Sequence, residues 1–86
     1  MKVLYDDEVD ALYVPIRPEF FVHITKEVDE ARTMDFDDKD RVVGIEVLGA
    51  SQRVRLSDLI EPFGLESFKE SFEQIEQHPF RSREHT

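Results

Sequence analysis

Apolar and polar residues alternate with a period of two through the first half of the chain, which is the pattern of β-strands with one buried face. The alternation, interrupted by acidic turn sequences, predicts five strands, at residues 2–5, 11–16, 20–25, 32–36 and 41–48. The last run is the longest, and it places Val43, Ile45 and Val47 on one face. Pro15 lacks a backbone donor, so the second strand is predicted to end there or to lie at a sheet edge.

The linkers between these strands are shorter than the roughly dozen residues that a parallel crossover needs. Residues 1–50 are therefore predicted to form a four- to five-stranded antiparallel β-meander, in which each strand pairs with the next one along the chain.

The second half of the chain has a helical period instead. Leu65, Phe68, Phe72 and Ile75 recur at the spacing of one helix face. An apolar stripe of this kind needs a surface to cover, and the apolar face of the sheet is the one available. The prediction is an α+β fold in which a C-terminal amphipathic helix packs on one face of the sheet.

Punctuating residues set the limits of the helical region, which is predicted at residues 57–77. Ser57 is the predicted N-cap of a short first turn, and Pro62 and Gly64 interrupt the helix after it. Pro79 ends the second helical segment, and residues 79–86 are expected to form a frayed tail. Without a composition change that would mark a linker, the 86 residues form one predicted domain.

Charge is the most informative part of the composition. The chain carries 20 acidic and 11 basic side chains, for a formal net charge of −9. Nucleic-acid affinity comes mainly from phosphate neutralisation by Lys and Arg, so neither nucleic acid nor an anionic membrane is an expected partner. The chain has no cysteine, which excludes disulfides and thiolate sites. With no signal-peptide pattern at its start, a cytoplasmic location is predicted.

An acidic run at residues 35–40 suggests a calcium loop. An EF-hand loop needs oxygen ligands at alternating positions, glycine at the sixth and glutamate at the twelfth. Here Lys39 occupies the fifth position, Asp40 the sixth and Glu46 the twelfth. A cation at a ligand position argues against a metal site, and we interpret the run as a hairpin turn in which Asp side chains bind local amides.

Glu46, Asp10 and His23 are the candidate binding residues. Glu46 lies among apolar strand residues, where a covered carboxylate would need a partner such as Arg32, His23 or Arg53. If its face is open to water, the carboxylate is simply solvated. Neither a nucleophile beside a base and acid nor a glycine-rich phosphate loop is visible in the pattern, so no catalytic residue, no cofactor and no enzymatic activity are predicted.

Two blocks of sequence resemble the family of small bacterial proteins grouped as domain of unknown function 2283. These are K-V-L-Y-D-D-E-V-D-A-L-Y-V at the start, then, after E-V-D-E, D-F-D-D-K-D-R-V-V-G-I-E-V-L-G-A-S. The resemblance covers residues 1–51 and implies a small β-meander with no assigned activity. Some relatives look like the smaller members of toxin–antitoxin gene pairs. Asp40 stands where relatives usually carry Gly in a left-handed turn, and Pro15 stands at an ordinary strand position.

Two functions follow as hypotheses. The first is a small acidic, non-enzymatic domain that works through protein–protein contact, as a homodimer and as an antitoxin-like partner of a basic protein. The second is a small-molecule or divalent-cation site, or a weak hydrolase, built around Glu46, Asp10 and His23, which requires these side chains to converge.

Overall fold

The computed structural model describes residues 1–83 as a five-stranded antiparallel sheet with helices on one of its faces. The predicted α+β class is confirmed. The strands are β1 (Leu4–Asp6), β2 (Ala11–Pro15), β3 (Ile24–Glu27), β4 (Arg32–Phe36) and β5 (Val42–Leu48). Pro15 is the last residue of β2, as its missing donor predicts.

The order of the strands differs from a simple meander. It is β1-β2-β5-β4-β3, so β5 lies in the centre between β2 and β4. Strands β3, β4 and β5 are consecutive neighbours, and β5 then pairs with the earlier strand β2. This is a Greek-key arrangement. Residues 16–23 cross three strand spacings, about 14 Å, a distance that eight extended residues span with ease. Short linkers exclude a parallel crossover, but they permit this antiparallel one.

The crossover also explains why the third strand begins later than predicted. Residues 20–22 have strand-like composition but lie in the connection, and pairing with β4 starts only where Ile24 meets Phe36. The Phe20 ring lies against the guanidinium of Arg41, whose Cζ is 3.9 Å from the ring centroid. Phe20 therefore packs at the end of the sheet, beside the turn that precedes β5.

A β-bulge changes which valines of β5 reach the core. Asp35 pairs with Gly44 but Phe36 pairs with Val42, so Val43 is an extra residue in the ladder. Val42 joins Ile45 and Val47 in the core cluster. Val43 is itself buried, at 4% exposed, so the bulge adds Val42 to the buried side of β5, which regular alternation cannot reveal.

The acidic run forms the hairpin turn between β4 and β5. Asp37 is buried, and its Oδ1 accepts the amides of Lys39 and Arg41 at 2.8 and 2.9 Å. The Nε of Arg41 donates to its Oδ2 at 2.7 Å. Asp40 has φ 61°, in the left-handed region that glycine adopts most readily. The interpretation of this run as a turn stabilised by Asp side chains is confirmed.

Two helical segments follow the sheet. The first is a 3-10 turn, Ser57–Leu59, continued by α1 (Ile60–Phe63), and the second is a 3-10 turn, Glu66–Phe68, continued by α2 (Lys69–Gln77). Gly64, with φ 64°, separates them. Within residues 1–83 there is no helix of the length and apolarity that a membrane span requires.

The start of the first helical segment is capped by a distant carboxylate. Glu76 of α2 accepts the amides of Leu56 and Ser57 at 2.6 and 2.9 Å and the Ser57 hydroxyl at 2.7 Å. Ser57 is therefore not the predicted side-chain N-cap. The carboxylate supplies the acceptor for the orphan amides, and it ties the two helical segments together.

The predicted helical stripe covers the sheet. Leu65 and Phe72 are fully buried, and Ile75 is nearly so. They join one core cluster that includes strand residues from β2, β4 and β5, with Leu12, Val14, Met34, Ile45 and Val47 at its centre.

Arg32 is the charged residue at the centre of this two-layer structure. Its side chain is 5% exposed and forms ion pairs with Asp29, at 2.8 Å, and Asp58, at 2.7 Å. Its Nη1 also donates to the carbonyl of Arg55 at 3.0 Å. These hydrogen bonds lower the pKa of both carboxylates. One guanidinium thus joins β4, the turn before it and the first helical segment.

Residues 80–83 turn back towards the first strand. The Phe80 ring packs on Tyr5, with centroids 4.9 Å apart. The amide of Arg83 donates to the carbonyl of Asp7 at 2.8 Å, and its guanidinium lies 2.9 Å from Glu8. The predicted frayed tail makes these contacts as far as Arg83, and its last residues, 84–86, lie outside the described part of the chain.

Arg32→Ala is expected to lower the free energy of unfolding by about 2–3 kcal/mol, because it removes a buried side chain together with its charged hydrogen bonds to Asp29 and Asp58. Arg55→Ala is the matched control, since its exposed side chain forms one ion pair with Asp29, worth about 1 kcal/mol or less. Urea unfolding of both variants tests the difference. Equal losses would contradict a central role for Arg32.

The fold is expected to lose stability in acid. Burial opposes ionisation of Asp37 and Glu76, but donors around each carboxylate outweigh it and lower their pKa values from 3.8 and 4.5. A lowered folded-state pKa contributes stability that is complete above the unfolded value and is lost as the pH falls through the folded value. Urea midpoints should therefore be level above about pH 5 and decline below it. A flat profile down to pH 3 would contradict this expectation.

Candidate functional site

The sheet face opposite the helices, here called the outer face, is not covered by any described element. The strand residues that alternate away from the core form it: Leu4, Asp6, Ala11, Tyr13, Pro15, Thr25, Glu27, Thr33, Asp35, Gly44, Glu46 and Leu48. Its ionisable groups, other than the Tyr13 phenol, are carboxylates. The basic strand residues, Lys26 and Arg32, alternate to the helix side.

Glu46 lies near the middle of this face and is exposed. Its neighbours across the strands are Tyr13 on β2 and Thr33 on β4. Arg32, one of the partners considered from the sequence, is on the other face with Asp29 and Asp58. Within residues 1–83 no ion pair or hydrogen bond joins Glu46 to another side chain, so its carboxylate is solvated.

Beside Glu46, Tyr13 lies flat over Gly44. A Cβ atom on Gly44 would be 1.9 Å from the Tyr13 hydroxyl oxygen, so only glycine allows the ring to cross β5 here. The hydroxyl reaches Asp35 Oδ2 on β4 at 3.0 Å, and the Thr25 hydroxyl donates to Asp35 Oδ1 at 2.5 Å. A chain of polar contacts thus connects β2, β4 and β3 across the outer face.

The Tyr13 phenol is protonated at neutral pH. Burial against the sheet, the hydrogen bond to Asp35 and the negative charges of Asp35 and Glu46 raise its pKa to about 12. The neutral hydroxyl donates to Asp35 and so ties β2 to β4 across the outer face.

Asp10, the second predicted binding residue, is engaged within the fold. It has φ 54° at the end of the β1–β2 turn. Its carboxylate accepts the Tyr5 hydroxyl at 2.7 Å, and the Ser51 amide and hydroxyl at 2.9 and 2.6 Å. Burial opposes its ionisation, but these donors prevail and lower the pKa of Asp10. The residue fastens the segment after β5 to the first hairpin.

His23, the third predicted residue, is exposed in the crossover just before β3. Its amide donates to the carbonyl of Phe36 at 2.7 Å. Asp10 precedes β2 at one end of the sheet, and His23 precedes β3 at the other end, three strands away. Strand rise and spacing put them about 20 Å apart. The structure therefore does not bring Glu46, Asp10 and His23 together, and no group of metal-binding side chains occurs among the 83 described residues.

Sequence reasoning missed Tyr13, Asp35 and Thr25, which form the ordered polar chain on the outer face. The signal that could have found them is Gly44, a glycine inside a run of β-branched residues. Such a glycine indicates close approach by another group, but which group approaches depends on the strand order.

Gly44→Ala is expected to displace the Tyr13 ring and return its pKa towards the ordinary value of 10. Titration followed by tyrosine ultraviolet absorbance would then show one phenol ionising earlier than in the wild type. Tyr13→Phe is the control, because it leaves only Tyr5, whose pKa is also raised to about 12. An unchanged titration of Gly44→Ala would contradict the placement of the ring.

Comparison of the sequence with known proteins identifies its family. No curated protein and no solved structure matches the chain. A family model described as "Protein of unknown function (DUF2283)" matches residues 2–51. The matched segment contains all five strands and ends at Ser51, which binds Asp10. Since the match covers more than half of the sequence, the chain belongs to the DUF2283 family.

Proposed function

We propose that this domain acts through protein–protein contact, and that its outer face binds a basic partner. The observation that carries the proposal is the distribution of charge. Asp6, Glu27, Asp35 and Glu46 lie on this uncovered face, while the bases of the strands alternate to the helix side. A face with one sign of charge attracts and orients a partner of the other sign.

Exposed apolar residues on the same face supply the non-polar part of such a contact. Leu4 is 60% exposed and Leu48 is 47% exposed. Burial of apolar area contributes about 25 cal/mol per Å², and carboxylates around it select the partner. Apolar anchors with surrounding charge are the usual composition of a protein interface.

The specific form of the proposal is a small basic protein as the partner, in the manner of an antitoxin and its toxin. The net charge of −9 supports it, as does the resemblance of some relatives to the smaller members of such gene pairs. A cytoplasmic setting fits a chain without cysteine.

The alternative, a ligand site or weak hydrolase, receives little support from the geometry. Asp10 accepts three hydrogen bonds within the fold. Glu46 lies on β5 and His23 lies in the crossover before β3, so these residues form no acid–base pair within contact distance. Contact is therefore the function that the described residues support best.

Glu46→Lys is expected to abolish capture of a basic partner, because it places a like charge at the centre of the outer face. The measurement is capture from a lysate of the native host at about 50 and 300 mM salt, a range over which exposed charge attraction is progressively screened. The wild-type protein should retain a small basic protein at low salt and release it at high salt.

Glu73→Lys is the matched control, since it makes the same charge change at an exposed position of α2. It should retain the partner. Failure of the wild type to capture any basic protein at low salt, or equal capture by Glu46→Lys, would contradict the proposal.

A further inference from the structure

The two edges of the sheet differ in how the chain covers them. At β1, residues 80–83 pack on Tyr5 and bind the carbonyl of Asp7. At the other edge, β3 pairs only with β4 within residues 1–83, and each of its four residues is exposed. An uncovered edge strand presents free backbone groups to a further strand.

The backbone groups that β3 directs outwards follow from its register with β4. The amide of Val28 donates to the carbonyl of Arg32, and antiparallel ladders alternate between inward and outward residues. Ile24 and Lys26 therefore direct their backbone groups towards β4, whereas Thr25 and Glu27 direct theirs to the open edge. These outward groups are available for a ladder with another chain.

Apolar side chains surround this edge. Phe21 is 94% exposed, Val22 50% and Ile24 43%. On the helix side, an open groove of about 500 Å³ runs along β3, and Val28, Met34, Phe36 and Phe63 supply its apolar lining. So much exposed apolar surface beside an open strand indicates a contact surface.

We propose that a second copy of this chain occupies the edge, with the two β3 strands pairing antiparallel about a two-fold axis at Thr25. In a continuous sheet, directly opposite residues share a face, so the paired residue numbers must add to an even sum. With Thr25 opposite its own copy, Ile24 faces Lys26 and His23 faces Glu27. Each copy donates its Thr25 amide to the other across the axis.

Charge selects this register over its neighbour. A shift by one residue about the axis places Lys26 opposite Lys26 of the second copy, about 4.5 Å apart between Cα atoms. Like charges directly opposite are destabilising. In the proposed register a Thr–Thr pair occupies the axis, and the Lys26 ammonium has the apolar Ile24 as its neighbour. The carboxylate of Glu27 lies opposite an imidazole.

The same register fills the groove. Ile24 of the second copy comes opposite Lys26, on the helix side where the groove lies, and Val22 of the second copy comes opposite Val28, which lines the groove. Exposed apolar residues of each copy thus cover the apolar lining of the other. The edge contact is independent of the proposed partner on the outer face, and either can fail without the other.

Sedimentation or light scattering should give the wild type twice the chain mass of 10.1 kDa. The protein should be tested at about 100 μM, well above a micromolar Kd. Glu27→Pro should weaken the dimer roughly tenfold or more, because it removes an outward amide from each copy without breaking a bond to β4. Glu27→Ala keeps the amide and should remain dimeric, and circular dichroism confirms that both variants fold.

A single cysteine tests the register, since the natural chain has none. Thr25→Cys should cross-link into dimers on oxidation, because the Cα atoms of an opposite pair lie about 5.5 Å apart. Thr33→Cys, on the same face but one strand inwards, should not. A monomeric wild type, a dimer unaffected by Glu27→Pro, or equal cross-linking at both positions would overturn the proposal.

Discussion

The buried guanidinium of Arg32 is the interaction on which the two layers of this structure depend. It lies on β4, binds Asp29 in the preceding turn, and reaches Asp58 and the carbonyl of Arg55 at the start of the helical region. A buried cation is costly unless its donors are satisfied. The contacts of Arg32 therefore set the position of the segment that leads from the sheet into the first helical segment. That position allows the apolar side of the helical region to pack on the core.

The acidic side chains divide into two groups with different uses. Asp10, Asp37 and Glu76 accept backbone amides and organise turns or helix starts. Glu46, by contrast, has no partner within residues 1–83 and lies in the open. Net charge alone does not separate these groups. Asp10, Asp37 and Glu76 stabilise the fold, whereas Glu46 contributes negative charge to the outer face.

The sequence predicted the strands best where alternation was regular: β4 has the predicted bounds, and β2 and β5 differ by one residue. Their order was not predictable, since local pattern carries no information about pairing partners. The bulge at Val43 and the crossover at residues 20–22 departed from prediction because tertiary pairing overrides local preference. Of the candidate site, Glu46 was placed on the right strand, while its separation from Asp10 and His23 depends on the strand order.

The two edges of the sheet differ in their accessibility, and this difference affects how copies of the chain can assemble. A sheet that is open on both sides can add copies at each end and grow into a filament. Here residues 80–83 contact the β1 edge at Tyr5 and Asp7, whereas β3 pairs only with β4 within residues 1–83. Two-fold pairing at β3 would use that edge in both copies. The short segment after α2 thus makes the β1 edge less accessible than the β3 edge, which favours pairing over continued growth of the sheet.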